Sequence, residues 1–213
     1  MAGAAPVANS GRTQEQILAA ALDAFAEYGF DGAKMRDIAA RAGVTLGLLQ
    51  YYFGGKQKLW RAAVDRAFQD MRGGLEALIE NSAMADEREA LRAIVRGHVA
   101  FVARRPEFVR LMHDEGKRRG PRMRWLVDRH VKPLYGLFLP VVERAQAAGV
   151  LPGGIPALHF VYAFVGAVGV IFHQAEECKR VTGVDPTTPA AVEAHIRAVE
   201  HLLLGWPSQE DSG

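Results

Sequence analysis

The stretch TLGLLQYYFGGK, residues 45–56, gathers side chains whose chemistry suits the surface of a nucleic-acid duplex. Gln50 presents a donor and an acceptor together, the pair that matches N6 and N7 of adenine in the major groove, and a good bidentate contact of this kind discriminates by about 1–3 kcal/mol. Leu48 offers apolar surface to a thymine methyl, and Gly47 lets a backbone come close. Thr45, Tyr51, Tyr52 and Lys56 carry the hydroxyls and the cation that hold phosphates, with Lys56 beside a helix start whose free N–H groups attract anions. Leu46 falls in the same outward set.

Other chemistry is poorly supported. His173 and Glu177 stand at i and i+4, but only Glu176 and Cys178 are near, and His195 and His201 are six apart on different faces, so no metal site is expected. No Ser-His-Asp order, phosphate-cradling glycine loop or carboxylate pair in an apolar setting marks a catalytic centre, and neither an enzyme activity nor a cofactor is expected.

The elements that must position residues 45–56 are helical. Strand signals are scarce and helical spacing recurs along nearly the whole chain, so the fold class is all-α, with about nine helices. After a disordered start over residues 1–11, Thr13 can cap a helix with the inward stripe Ile17, Ala21, Ala24, Phe25 and Tyr28, stopped by Gly29. A short helix from Met35 to Ala42 ends at Gly43, and another opens at the N-cap Thr45 and ends near Phe53, with Leu49 and Phe53 turned inward. A long fourth helix carries Trp60, Val64, Ala67, Phe68 and Met71, with Gly73-Gly74 as a place to bend. Further helices are predicted over 86–104, 107–116, 121–148, 155–181 and 189–205, before a disordered tail over 206–213.

Two short helices around a glycine-containing turn make a helix-turn-helix, whose second member can enter the major groove. Residues 13–59 resemble the N-terminal DNA-binding domain of the TetR family of transcriptional regulators through ILAAALDAFAEYGFDG, MRDIAARAGVT and LGLLQYYFGGKQKL, in that order. The resemblance implies a helix-turn-helix domain over 12–55, a helical effector-binding and dimerisation domain over 56–205, and a homodimer that represses from a palindromic operator of double-stranded DNA until a small molecule releases it. The chain departs from the family pattern in three places. Lys34, following Ala33, stands where a hydroxyl usually opens the second helix, and there a cation can contact phosphate. Gln50 stands where Tyr is frequent and Leu48 where a small residue is usual, so the operator sequence does not carry over.

A reader of one helical turn needs a mate, and the last two helices are the expected dimer surface. Small Ala163, Gly166 and Ala167 permit close helix approach, and Val192, Ile196, Val199 and Leu203 recur at a helical period. An effector pocket is expected among the middle helices, lined by Phe101, Phe108, Met112, Trp125, Tyr135, Phe138, Tyr162 and Phe172, with His98, His130 and His173 as polar contacts, which favours a hydrophobic or aromatic effector.

Bulk properties agree with this reading. A net charge of +2 does not by itself announce a nucleic-acid binder. The most basic run is residues 117–132, with seven Lys or Arg against one acid, and reads either as a solvated face or as a polar rim for an acidic effector. A single cysteine and the absence of a secretion-like start point to a cytoplasmic protein. Residues 145–175 carry no charge, but LPGGIP leaves about 16 continuous apolar residues where ~20 are needed to span a membrane, so a buried helix is expected instead. The competing reading is an all-α small-molecule-binding protein or enzyme that uses the same middle pocket without DNA.

Overall fold

The computed structural model describes residues 5–81 and 86–205, with side chains from Ser10 onward, and every regular element among the described residues is helical. The described residues form two compact units, one within residues 5–70 and 110–119, the other within 71–81, 86–109 and 120–205. The first is therefore larger than the expected 12–55, because α4 and α6 each belong partly to it. The expected disordered tail, 206–213, lies outside the described residues.

The first unit is built on α1 (Ala5–Gly32), α2 (Met35–Arg41), α3 (Leu46–Phe53) and the opening of α4 (Lys56–Asn81). Within the start expected to be disordered, residues 1–11, α1 already runs from Ala5, so Thr13 lies inside the helix and not at its first turn. Alanines before and after Gly11 are strong helix formers, and one interior glycine costs only about 1 kcal/mol. Gly29 does break α1, at φ 67° and ψ 174°. Ile17, Ala21, Ala24 and Phe25 are buried as the spacing required, joined by Leu22 and Ala26, but Tyr28 is half exposed. It lies instead under the Arg41 guanidinium, which donates to the Tyr28 hydroxyl at 3.0 Å and to Glu27 at 2.7 Å. Phe25 stacks on Phe30, and Phe30 meets Trp60 of α4 edge-on.

The second unit contains the rest of α4, then α5 (Glu87–Arg104), the start of α6 (Pro106–Gly116), α7 (Pro121–Leu126), α8 (Lys132–Ala147), α9 (Ala157–His173), α10 (Ala175–Thr182) and α11 (Pro189–Leu204). Its core joins Ile94, Val95, Val99, Phe138, Val142, Phe160, Phe164, Val168, Phe172, Ile196 and Val199. α4 passes Gly73 and Gly74 without interruption. The helix expected over 121–148 is present, but a π-helical stretch at Val127–Val131 separates α7 from α8. Pro133 supplies the reason: it has no N–H, its ring crowds the carbonyl four residues earlier, and a wider turn relieves both. The helix expected over 155–181 splits at Gln174, where α9 and α10 meet at a 70° bend. No single helix among the described residues is long and apolar enough to cross a membrane.

Candidate functional site

The corner between α2 and α3 follows from two residues. Gly43 takes φ 67°, which only glycine adopts without strain, and closes α2 with two bonds: its own N–H to Ala40 O at 3.1 Å, and the Val44 N–H to Ala39 O at 3.0 Å. Two residues later Thr45 caps α3, its Oγ1 accepting from the Leu48 N–H at 3.2 Å. Ile38, Ala39 and Leu49 are buried, so the pair is pinned by its inner face.

The outer face of α3 is largely the expected one. Thr45, Gly47, Leu48 and Gln50 are exposed, and Tyr51 is 82% exposed, an unusual position for a large ring in a packed helix. Lys34 is exposed at the N-cap of α2 and makes no side-chain cap bond. Leu46 is half-buried rather than outward, because the first residue after Thr45 tucks against the unit.

Tyr52 and Lys56 are engaged within the unit. The Tyr52 hydroxyl lies 3.1 Å from Ser10 Oγ, and Lys56 donates to the Asp31 carbonyl at 3.0 Å with its ammonium 5.0 Å from the Phe30 ring centroid. Both side chains tie the α3–α4 corner to α1. Ser10 lay in the segment expected to be disordered, so sequence reasoning could not supply this partner. It also passed over Arg41, whose bonds to Glu27 and Tyr28 join α2 to α1; the Arg41 bond helps hold the Glu27 carboxyl below the usual range, after the Tyr28 hydroxyl. A basic residue at the last position of a seven-residue helix signals only a surface cation.

In the second unit the expected ligand residues fall into separate groups. Phe101 packs on Phe108, Trp125 on His130, Tyr135 on Tyr162, and Phe172 on His195, each pair at ring-centroid distances of 5.3–5.8 Å. Phe172 is fully buried core, Tyr162 is 62% exposed, and His173 is half-buried at the end of α9. Met112 belongs to the first unit. Aromatic character marks core, edge and surface alike, which is why composition could not sort them.

One group does border empty space. The ring of His98 lies 5.8 Å from Phe138 and 5.3 Å from Phe164, and both phenylalanines line a void of about 20 Å³ between α5, α8 and α9. Its other walls are Leu91, Ile94 and Val95 from α5, Val141 and Val142 from α8, and Phe160 and Val161 from α9. Burial among these groups pushes the His98 imidazole from its ordinary 6.5 down to about 4, so it is neutral near pH 7. Phe164 was missed from sequence because it sits in an unbroken apolar run.

Val192, Ile196, Val199 and Leu203, expected to meet a second copy, turn inward. Ile196 and Val199 are buried in the unit's own core, and Val192 and Leu203 pack against it. The stripe that periodicity detects is the one facing the helix's own neighbours, α5 and α9, and His195 accordingly reaches Ala167 O at 3.1 Å. Ala163 is exposed, and Gly166 and Ala167 are half-buried. The apolar surface left outside is Leu158, Tyr162, Val165 and Val170 on α9 and Leu202 on α11.

Comparison with known proteins places this arrangement. The family described as "Bacterial regulatory proteins, tetR family" matches residues 17–63, and the "Tetracyclin repressor-like, C-terminal domain" matches residues 88–202, more than half of the chain. The chain belongs to the TetR family of transcriptional regulators. Among curated relatives, this regulator is 29% identical over 152 residues to the HTH-type transcriptional repressor NicS of Pseudomonas putida, covering 70% of each chain. It is 30% identical over 99 residues to the HTH-type transcriptional activator FasR of Mycolicibacterium smegmatis, covering 46% of this chain and 44% of that one. Among solved structures it resembles AibR in complex with isovaleryl coenzyme A and operator DNA, with a TM-score of 0.72 at 19% identity, covering 90% of this chain and 98% of that one. FadR from Bacillus subtilis in complex with stearoyl-CoA gives 0.64 at 18% identity, covering 91% and 99%. At these identities the two structures speak for the fold of the regulator.

Proposed function

We propose that this regulator works as a homodimeric repressor that reads a palindromic operator with α3 and releases it when a small hydrophobic or aromatic molecule enters the second unit. The observation that carries the reading is the outer face of α3, where Gln50, Leu48 and Tyr51 stand in solvent on a helix whose start is fixed by the Gly43 turn and the Thr45 cap. Gln50 reads a base edge, Leu48 meets a thymine methyl, and Thr45, Tyr51 and Lys34 hold backbone phosphates. Gly47 allows the approach, while Tyr52 and Lys56 brace α3 against α1. The NicS relative, named a repressor, and the AibR complex, which holds operator DNA, support this reading.

The dimer forms through the exposed apolar residues of α9 and α11, with Ala163 giving room for close approach. α4 and α6 belong in part to both units and carry the signal. Within the first unit the segment just after α6 holds the end of α1 through Arg118, 3.5 Å from Asp31. To turn a population from mostly DNA-competent to mostly incompetent, the effector must favour one state by about 5.5 kcal/mol. Such a regulator acts in the cytoplasm, alongside DNA, and has no catalytic role.

Selection from random duplex DNA by the purified protein at physiological salt tests the proposal. A consensus with two symmetric half-sites about one helical turn apart is expected. Retention without any consensus, lost as salt rises, overturns it.

A further inference from the structure

We infer that the interior of the second unit takes an uncharged, largely apolar molecule with a single hydrogen-bonding group, and that His98 selects it. The inference rests on reading the chain as an effector-responsive regulator and adds the chemical class of effector.

The void between α5, α8 and α9 has only hydrocarbon walls. No ionised side chain faces it, so a carboxylate, phosphate or ammonium placed there has no counter-charge and keeps to water. A neutral body loses nothing of that kind on entry. The same walls offer no hydrogen bond, which leaves His98 as the polar group next to them, edge-on to Phe138 and tilted against Phe164.

His98 differs from an ordinary core histidine in two respects. It forms no hydrogen bond to any described residue, whereas His195 of the same unit is bonded to Ala167 O. The residue as a whole is only half-buried, although its ring is surrounded closely enough to be held neutral. A neutral, unbonded ring packed on Phe138 and Phe164 stands one layer of side chains from the void. In the neutral form one ring nitrogen donates and the other accepts, so it serves a ketone, lactone, amide, alcohol or aromatic amine equally.

At about 20 Å³ the void holds roughly one water, so a ligand of this class enters by moving the Phe138 and Phe164 rings that separate His98 from it. Both rings belong to helices, α8 and α9, that also carry the paired tyrosines Tyr135, half-buried against the core, and Tyr162, exposed. Displacement inside is thus passed to the surface assigned to the second copy.

Three fluorescent probes with nearly the same rings test the class on the full chain: N-phenylnaphthylamine, which is neutral with one N–H; anilinonaphthalene sulfonate, its anionic derivative; and phenylnaphthalene, a hydrocarbon. The neutral amine is expected to bind about tenfold more tightly than the sulfonate. His98→Phe is expected to weaken the amine about tenfold and leave the hydrocarbon unchanged. Equal or tighter binding of the sulfonate overturns the inference, as does an equal loss of amine and hydrocarbon in the variant, or binding of none of the three. Should His98→Phe not fold, the His98 ring signals in the NMR spectrum of the unaltered protein give the same decision: they move on adding the amine, and an unmoved ring overturns the assignment. The titrations contain no DNA, so a failed operator selection and a failed probe experiment are told apart.

Discussion

Two helices of this protein leave large apolar side chains in water, and they do so differently. α3 exposes Leu48 and Tyr51 interleaved with Thr45, Gly47 and Gln50, so apolar contact and hydrogen bonding alternate along eight residues. α9 exposes Leu158, Tyr162, Val165 and Val170 along a helix with no charged residue in its seventeen. The first surface suits a grooved, charged polymer whose edges offer donors, acceptors and methyl groups. The second suits another apolar face, since little on it rewards a polar partner. Under the proposed function, the first surface carries specificity and the second carries assembly.

The sharpest way to break the comparison is to put a charge on α9. Val165→Glu sits on a 40% exposed position, so the folded chain tolerates it, but in a two-fold interface it faces itself or its mate's apolar residues. Sedimentation should show half the mass of the unaltered protein, with retention of selected DNA falling at least about a hundredfold. An unchanged mass would remove α9 from the interface.

The next effect concerns the interior. Burial lowers the His98 pKa from 6.5 to about 4, so between these values the unfolded chain takes up a proton that the folded chain refuses. Stability therefore rises with pH through this window, is fully present above about 6.5, and is lost as pH falls toward 4. The slope amounts to at most about 3 kcal/mol. His195, also lowered by burial, acts in the same direction. Chemical denaturation at several pH values checks this, and His98→Phe should flatten most of the slope. In the first unit the shifted groups Glu27, Tyr28, Arg41 and Arg66 lie at or near the surface, so its unfolding should respond less.

A smaller effect separates reading from holding. Gln50→Ala should cost about 1–3 kcal/mol at a selected site and nothing on random DNA. Equal loss on both would make Gln50 a phosphate contact.

What could be foreseen from sequence divides along the same line as these two helices. Gly43, Thr45 and the buried Leu49 are local signals: a turn that needs positive φ, a cap oxygen and an apolar spacing each leave a mark within a few residues. The exposed face of α3 could therefore be read almost residue by residue. Partners far along the chain leave no such mark, and so Ser10 beside Tyr52 and the Asp31 carbonyl beneath Lys56 were beyond reach. In α11 the periodic stripe was seen correctly, and its neighbours within the unit were not. Periodicity reports that one face is covered, and Ile196 and Val199 are covered by the chain's own helices. The aromatic residues of the second unit could not be sorted for a related cause, since Phe172 in the core and Tyr162 at the surface have the same composition signal and opposite environments.

The smallest predicted effect tests whether α3 acts as a rigid reader. Removing the Thr45 hydroxyl frees the Leu48 N–H that it now accepts from, and Thr45→Ala should cost about 1 kcal/mol of stability. Because α3 has only eight residues, that loss falls on its first turn, just ahead of Gln50 and Tyr51. Fraying there misplaces base and phosphate contacts together, and the hydroxyl is itself a proposed phosphate contact. Retention of selected and random DNA should then weaken by a similar factor, roughly fivefold. This differs from Gln50→Ala, which separates the two. A Thr45→Ser variant restores the cap and should recover most of both. If the alanine variant lost stability but kept full DNA retention, α3 would be held by its packed Leu49 and not by its cap.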